Sequence, residues 1–419
     1  MLAANGAVPA DALAGRVLLG ELGLDGRVRP VRGVLPALLT ASRAGFGSAV
    51  VPAANLAEAV LLPDVTSTGV ATLRGLVALL RGEPVDEDVP QPDPVEAAPP
   101  ALDLLDVAGQ LSGRTAIEVA AAGGHHLLLL GPPGSGKTML AERLPGVLPE
   151  LPLDQSLEVT AVHSVAGTLP AGQPLLTRPP FQDPHHTATV AAVVGGGSGI
   201  ARPGAASLAH RGVLFLDEAP EFASRVLDAL RQPLESGRLT LVRVGGTVVY
   251  PARFQLVLAA NPCPCGKERG CVCPPDTRRR YLGRLSGPLL DRVDMHVDVP
   301  RITRAEILAE DGCGEPSAAV AARVASARRL AAQRYRETPW QLNGDVPPTE
   351  LRRRWPLPRM ATEPAEQALD RGLLTARGYG RVLRLAWTLA DLADAGTPTR
   401  DHVGHALGFR AGSPALAAA

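Results

Sequence analysis

The sequence predicts an α/β protein, built on a parallel sheet and followed by an all-α C-terminal domain. Apolar runs at 126–130, 213–216 and 255–260 end respectively in a glycine-rich turn, an Asp-Glu pair and an asparagine. This layout is typical of parallel strands whose carboxyl ends meet at one edge of a sheet. Beyond about Pro300 the apolar residues recur at helical spacing. We therefore expect the functional site at the carboxyl edge of the sheet.

Four segments are expected along the 419 residues. Residues 1–82 form a small α/β domain, 83–100 a linker, 101–300 the core with the parallel sheet and 301–419 a helical domain. The linker segment reads EPVDEDVPQPDPVEAAPP. Proline removes backbone donors and like charges repel, so this composition favours an extended chain.

Composition narrows the classes of function. The chain has 42 basic and 42 acidic side chains, which argues against a histone-like polycation. Beyond residue 98 there are 35 basic and 31 acidic residues, a weak excess that permits contact with nucleic acid. No run reaches the roughly 18–20 apolar residues of a membrane span, and no signal peptide is recognisable. We expect a cytoplasmic protein without a membrane partner.

The most specific motif is a phosphate-binding loop between a predicted strand and a predicted helix. It reads Gly131, Pro132, Pro133, Gly134, Ser135, Gly136, Lys137, Thr138, with Met139 next. Glycines turn backbone N–H groups toward phosphate oxygens, Lys137 reaches the β- and γ-phosphates, and Thr138 ligates Mg²⁺. Lys137 and Lys267 are the only lysines among the 42 basic residues. The motif predicts ATP and Mg²⁺ as ligands.

Polar side chains at the ends of two further strands complete the predicted site. Asp217 and Glu218 follow the run 213–216, about eighty residues after the loop. Asp217 is expected in the Mg²⁺ shell, and Glu218 is expected to polarise the attacking water. Asn261 ends the run 255–260, where it would orient the same water. The alternative for Asn261 is a turn former before proline.

Longer stretches of the sequence resemble the YifB/ComM family of magnesium-chelatase-like AAA+ proteins. They read DVAGQLSGRTAIEVAAAGGHHLLLLGPPGSGKTMLAERLPG, PHHTATVAAVVGGGSGIARPGAASLAHRGVLFLDE, YPARFQLVLAANPCPCG and LSGPLLDRVDMHVDV. The resemblance runs from about Gly15 to the C-terminus. It implies an AAA+ core with a helical lid, a homo-hexamer and ATP hydrolysis. For ComM-type members it implies a motor on DNA that drives branch migration during transformation.

The resemblance also implies roles for two arginines. Arg292, in LLDRVD, matches the arginine finger that acts on the γ-phosphate of an adjacent subunit. Arg377, in TARGYGRVLRLAW, resembles the sensor-2 arginine of the lid. Arg381 stays open as the alternative sensor, and a surface charge is the other interpretation of each.

Four cysteines lie within eleven residues, as Cys263-Pro-Cys265 and Cys271-Val-Cys273. Thiolates suit tetrahedral Zn²⁺. The Cys-x-Cys spacing is tighter than the usual zinc knuckle. A structural zinc site and a reduced, redox-sensitive loop therefore both stay open.

Two other segments are candidates for contact with nucleic acid. His185-His186 lies between the phosphate-binding loop and Asp217, and its adjacent side chains are expected to point to opposite sides. Residues 238–250 contain two strand-like runs on either side of a Gly-Gly pair. This pattern predicts a β-hairpin with Arg243 near its tip. A solvated surface is the alternative for both, because binding to a nucleic-acid backbone needs several such contacts.

Residues 16–82 resemble the C-terminal half of a Lon-protease-like domain, in which a Ser-Lys pair acts. Ala37 stands at the lysine position, and residues 1–100 contain no lysine. The serine-bearing half would lie upstream of Met1, so the chain is expected to be N-terminally shortened. No peptidase activity is expected.

Together these features favour an ATP-hydrolysing AAA+ motor with DNA as its leading substrate. One alternative is the ATPase subunit of a metal-chelatase-type remodelling complex. Another is a nucleotide-dependent scaffold without hydrolysis, which the presence of Lys137, Asp217, Glu218 and Arg292 disfavours.

Overall fold

The computed structural model describes residues 1–85, 102–170, 172–197, 201–243, 246–267, 271–304, 306 and 314–411. The chain divides into two compact units. One is Met1–Pro99 with Leu151–Thr177, and the other is Pro100–Glu150 with Arg178–Ala419. The expected linker, 83–100, lies outside the described residues apart from 83–85.

Helices and strands alternate along most of the chain. The strands are β1 Arg16–Leu18, β2 Glu21–Leu22, β3 Val28–Arg29, β4 Ser48–Pro52, β5 Thr66–Val70, β6 Leu127–Leu130, β7 Phe181–Gln182, β8 Val213–Leu216, β9 Arg238–Arg243, β10 Gly246–Pro251, β11 Gln255–Ala260 and β12 Met295–Asp298. The helices are α1 Val34–Arg43, α2 Leu56–Ala59, α3 Leu73–Arg81, α4 Leu111–Gly123, α5 Lys137–Val147, α6 Leu153–Ala166, α7 Val190–Val194, α8 Ala205–Leu208, α9 Ser224–Ala229, α10 Arg231–Ser236, α11 Pro275–Leu282, α12 Gly287–Leu290, α13 Ser317–Arg334, α14 Pro348–Arg354, α15 Arg359–Asp370, α16 Ala376–Leu392 and α17 Arg400–Ala411. Within the described residues, no helix is both long enough and apolar enough to cross a membrane.

The N-terminal unit is built on a three-stranded parallel sheet in the order β1-β4-β5. Helix α1 packs on it through Leu35 and Leu38, which are fully buried. Helix α6 contributes Leu157 and Ala161 to the same apolar cluster. The Ser164 hydroxyl of α6 accepts a hydrogen bond from the backbone of Gly33 at 3.1 Å. Residues 151–177, which the sequence places in the core 101–300, therefore belong with the N-terminal unit.

The second unit contains the predicted parallel sheet, with five strands in the order β12-β6-β11-β8-β7. The strands β6, β8 and β11 are buried along their whole length. Their unbroken apolar runs are typical of parallel strands covered on both faces. The expected α/β class is confirmed, and the carboxyl ends of these strands share one edge.

The predicted hairpin is also present. Strand β9 pairs antiparallel with β10, with Arg243 opposite Gly246, and residues 244 and 245 lie outside the described part. The Tyr250 hydroxyl donates to the carbonyl of Ala201 at 2.7 Å. This bond fastens the hairpin to the segment between α7 and α8.

The C-terminal region is helical, as predicted. Helices α13 and α16 pack against each other and against α4, and α15, α16 and α17 pack against one another, in the same compact unit as the sheet. The sequence pattern predicts a helix over 364–371, whereas helix α15 begins at Arg359, five residues earlier, and includes Pro364 in its interior. Its buried Ala361 and Ala365 explain the earlier start, because they lie one turn apart on a single face. The sequence pattern also predicts a helix over 305–310, and this range lies outside the described residues apart from Glu306.

A buried polar network lies at the amino ends of β6 and β12. Asp294 pairs with Arg381, and it accepts the backbone N–H of His126 at 3.2 Å. Nδ1 of His126 accepts the backbone N–H of Leu256 at 3.0 Å. Burial lowers the pKa of His126 to about 4. Protonation of this ring would therefore cost both its burial energy and a backbone hydrogen bond.

We expect the free energy of unfolding to fall as the pH decreases from about 6.5 to about 4. In this window His126 is neutral when folded but protonated when unfolded, so the unfolded state binds more protons. The loss should reach about 1–2 kcal/mol, since the full shift is worth about 3 kcal/mol and the side chain is partly exposed. Urea denaturation across this range measures it. His126→Asn should reduce the slope without abolishing it, because burial also lowers the pKa of His296 to about 3. His405→Asn, at an exposed position, should leave the slope unchanged. Equal slopes in His126→Asn and the unaltered chain would contradict this assignment.

Candidate functional site

The glycine-rich loop lies between β6 and α5, at the carboxyl edge of the sheet. Gly134 and Gly136 adopt left-handed φ values of 74° and 88°, with open space where side chains would lie. A Cβ at Gly131 would stand 2.1 Å from the Val299 carbonyl oxygen. The loop therefore needs glycine for two reasons, its backbone conformation and its close packing.

Lys137 connects this loop to the neighbouring strand. Its Nζ donates to the carbonyls of Gly131 and Pro132 at 2.7 and 2.9 Å, and to Oδ1 of Asn261 at 3.2 Å. Burial lowers the pKa of Lys137, and the negative charges of Asp217 and Glu218 oppose that shift. Two residues predicted from separate motifs, Lys137 and Asn261, are in direct contact.

The expected magnesium ligands also meet. The Thr138 hydroxyl donates to Oδ2 of Asp217 at 2.8 Å, and Oδ1 of Asp217 accepts the backbone N–H of Glu218 at 2.8 Å. A hydroxyl and a carboxylate at this separation are a donor set that Mg²⁺ accepts. Ser135 has a buried hydroxyl without a hydrogen-bond partner among the described residues. Together with the open glycines, these groups fit a magnesium nucleotide.

Glu218 has a partner that the sequence does not predict. Its Oε2 lies 3.3 Å from Nδ1 of His186. The His185 and His186 rings are 4.1 Å apart, so the expectation that they point to opposite sides was wrong. They lie in the turn before α7, where the alternation of a strand does not apply. The His-His pair could be noticed in the sequence, but its contact with Glu218 could not be predicted, because Glu218 lies about thirty residues further along the chain.

Arg292 follows α12 and is not brought to the phosphate-binding loop of its own chain. It pairs with Glu235, and its Nη1 donates to the carbonyl of Pro288 at 2.5 Å. Only 17% of its side chain is exposed. The ion pair with Glu235 orients the guanidinium.

Arg377 lies beside Arg292 in space. It pairs with Asp291 at 3.3 Å and has 76% of its side chain exposed. Arg381, one turn later, is bound to buried Asp294, which precedes β12. That position is at the amino edge of the sheet, about 13 Å along a four-residue strand from the carboxyl edge. Arg377 is thus the accessible candidate of this helix.

The four cysteines form one cluster, as the sequence predicts. Their sulfurs all lie within 4.8 Å of one another. Burial raises the pKa of Cys263 to about 12, and a hydrogen bond from Cys263 lowers that of Cys265 to about 6. Sulfurs bound to one zinc at about 2.3 Å are about 3.8 Å apart in a tetrahedron. The cluster matches this size.

Arg243 occupies the expected end of β9. Its side chain is exposed, and within the described part of the chain Nη1 donates to the adjacent carbonyl of Val242 at 3.1 Å. It is therefore available at the end of the hairpin for an anionic partner.

Comparison with known proteins agrees with this architecture. The family model described as "Magnesium chelatase, subunit ChlI" matches residues 103–307, and its C-terminal counterpart matches residues 314–410. A third, "Subunit ChlI of Mg-chelatase", matches residues 1–55. Each of the following relatives is matched over 98% of this chain. An uncharacterized protein of Mycobacterium tuberculosis is 54% identical and covered over 81% of its length. YifB of Escherichia coli is 40% identical and covered over 80%. The competence protein ComM of Haemophilus influenzae is 39% identical and covered over 81%. The chain belongs to the YifB/ComM family of magnesium-chelatase-like AAA+ proteins.

Proposed function

We propose that the protein hydrolyses ATP in a homo-hexamer and uses the energy to act on DNA in the cytoplasm. The observation that carries the ATPase part is the meeting of Lys137, Asn261, Thr138 and Asp217 at one sheet edge. These groups come from three neighbouring strands and supply the cation, metal ligands and amide that phosphoryl transfer uses.

Each side chain has a distinct task in this proposal. Bound Mg²⁺ would offset negative charge on the β- and γ-phosphates. Thr138 and Asp217 would hold that ion, and Lys137 would move its donors from the loop carbonyls to phosphate oxygens. Asn261 would orient the attacking water, and Glu218 would accept its proton. Because His186 holds the Glu218 carboxylate at 3.3 Å, that contact must open before Glu218 reaches the water.

Arg292 and Arg377 would act on the nucleotide of an adjacent subunit. Both lie away from their own phosphate-binding loop, and each is held by an acidic residue, Glu235 and Asp291 respectively. A ring brings such a surface against the neighbour's nucleotide. Hydrolysis would then depend on assembly.

DNA is the proposed substrate for two reasons. One relative is named a competence protein, and the exposed Arg243 ends a hairpin. Six such hairpins would supply the multiple phosphate contacts that backbone binding requires. A branch-migration or helicase-like role in transformation or recombination fits this arrangement.

The test measures the ATPase rate with and without branched or single-stranded DNA. A Glu218→Gln variant, which should bind ATP without hydrolysing it, serves to trap DNA complexes. We expect DNA to stimulate the rate and to be retained by the variant only with ATP. Absence of both effects would reject DNA as the substrate and leave ATP hydrolysis standing.

The second candidate is the ATPase subunit of a chelatase-type remodelling complex, which the matched chelatase family models favour. In that case a partner protein, rather than DNA, would stimulate hydrolysis. A nucleotide-dependent scaffold would show binding without turnover.

We assign Zn²⁺ to the four-cysteine cluster and give it no chemical step in hydrolysis.

A further inference from the structure

The four-cysteine cluster is joined to the nucleotide site at two points. Cys263 follows Asn261 with only Pro262 between them, and Asn261 accepts a hydrogen bond from Lys137. The chain then returns toward the phosphate-binding loop. A Cβ placed on Gly266 would stand only 2.6 Å from Cγ of Pro133. A displacement of the cysteine segment would therefore shift Asn261 and the phosphate-binding loop, and both of these contact the Lys137 ammonium.

The sulfur positions fit a single ion. Sγ of Cys263 lies 3.0 Å from Sγ of Cys265 and 3.4 Å from Sγ of Cys271, and the Sγ atoms of Cys265 and Cys271 are 3.6 Å apart. Cys273 completes a set that stays within 4.8 Å. Four thiolates favour Zn²⁺ over Mg²⁺ or Ca²⁺, which prefer oxygen ligands.

The described residues of this segment bury little side-chain surface. The Cys263 side chain is buried, whereas Cys265 is exposed and Cys271 and Cys273 are intermediate. Val272, between the last two cysteines, is 88% exposed. A segment with so little apolar burial has low local stability. A metal cross-link between the two cysteine pairs would supply the missing constraint.

We propose that the four cysteines bind one Zn²⁺ ion, and that this ion holds Pro133 and Asn261 in the positions needed to bind nucleotide. The ion acts only as a structural cross-link, called the brace below, and it touches no reacting atom. This inference rests on the proposed function for the nucleotide part, while the metal site stands on the cysteine geometry alone. Loss of zinc is expected to weaken ATP binding by about tenfold, because a displacement of about 1 Å in a binding group has effects of this order or larger.

Elemental analysis of the purified full-length chain tests the metal site. We expect one zinc per chain, and none in a Cys265→Ser/Cys271→Ser variant. Cys313→Ser, which alters the one cysteine outside the cluster, should retain the ion. If the cluster variant fails to fold, a zinc-selective chelator applied to the unaltered protein, followed by readdition of zinc, gives the same comparison. Zinc below about half an equivalent in the unaltered protein would overturn the metal site.

Gly266→Ala tests the coupling separately. It keeps all four sulfurs, but it adds a Cβ against Pro133 at a residue with a left-handed φ of 67°. We expect full zinc content with a weakened Kd for Mg-ATP, measured by calorimetry. The zinc-free chain should show the same loss, and zinc should reverse it. Unchanged affinity in both would overturn the brace. A zinc-loaded chain that binds no nucleotide at all would reject the proposed function and leave the metal site standing.

Discussion

Lys137→Ala is expected to weaken binding of Mg-ATP by at least about a hundredfold and to abolish hydrolysis. The buried ammonium already holds two carbonyls and the Asn261 amide oxygen within 3.2 Å, so it needs little reorganisation to meet phosphate oxygens. Removal of one preorganised donor to developing negative charge typically costs about 3–4 kcal/mol. Calorimetric titration with ATP and a steady-state phosphate-release assay measure the two effects.

The chain provides a matched control for this experiment. Lys267 is the only other lysine and its side chain is exposed, so Lys267→Ala should bind and hydrolyse ATP normally. Lys137→Arg should also fail, because the planar guanidinium replaces a compact point charge among three acceptors. Thermal unfolding checks that the Lys137 variants remain folded. ATP hydrolysis at the normal rate by folded Lys137→Ala would reject the assigned site.

Arg292→Ala is expected to lower kcat by about a thousandfold while ATP still binds. An arginine that reaches the γ-phosphate from a neighbour stabilises charge in the transition state, and such residues contribute factors of about 10³–10⁵. Arg279→Ala removes another arginine, whose exposed ion pair with Asp276 contributes little. This control should keep normal activity. Equal activity of both variants would exclude Arg292 from the reaction.

Mixing the two inactive variants tests whether the arginine acts between subunits. In a random ring of equal amounts of Lys137→Ala and Arg292→Ala chains, about a quarter of the interfaces combine an intact loop with an intact arginine. Activity should therefore recover to about that fraction after assembly. Arg377→Ala in place of Arg292→Ala should show the same recovery. Failure to recover with hexamers present would place these arginines in their own subunit's chemistry.

The local parts of the site were predictable from sequence. The glycine-rich loop, Asp217 and Glu218 stand at fixed positions next to unbroken apolar strands, and sequence alone places them at one edge. The order of the sheet could not be predicted, because it depends on pairings between distant strands. β12, for example, lies beside β6 although about 165 residues separate them. Its four residues, Met-His-Val-Asp, alternate between apolar and polar side chains, and so short a run predicts a strand only weakly.

Contacts between side chains were less predictable than residue types. Nothing in the local sequence pairs His186 with Glu218, since such a contact depends on how the turn before α7 folds. The sequence likewise favours Arg377 as the lid sensor and leaves Arg381 open as the alternative. Burial separates them, because Arg381 is fixed by Asp294 inside the fold and Arg377 is exposed.

The membership of α6 in the N-terminal unit has a consequence for synthesis on the ribosome. Leu157 and Ala161 cover the same apolar cluster as Leu35 and Leu38, so this unit cannot complete its core until residues beyond 166 have emerged. The phosphate-binding loop and α5 are made before then, between two halves of an unfinished domain. At a synthesis rate of about 5–20 residues per second, the apolar face of α1 stays uncovered for several seconds until α6 has been made. During translation, part of the second unit is therefore made before the first unit can complete its core.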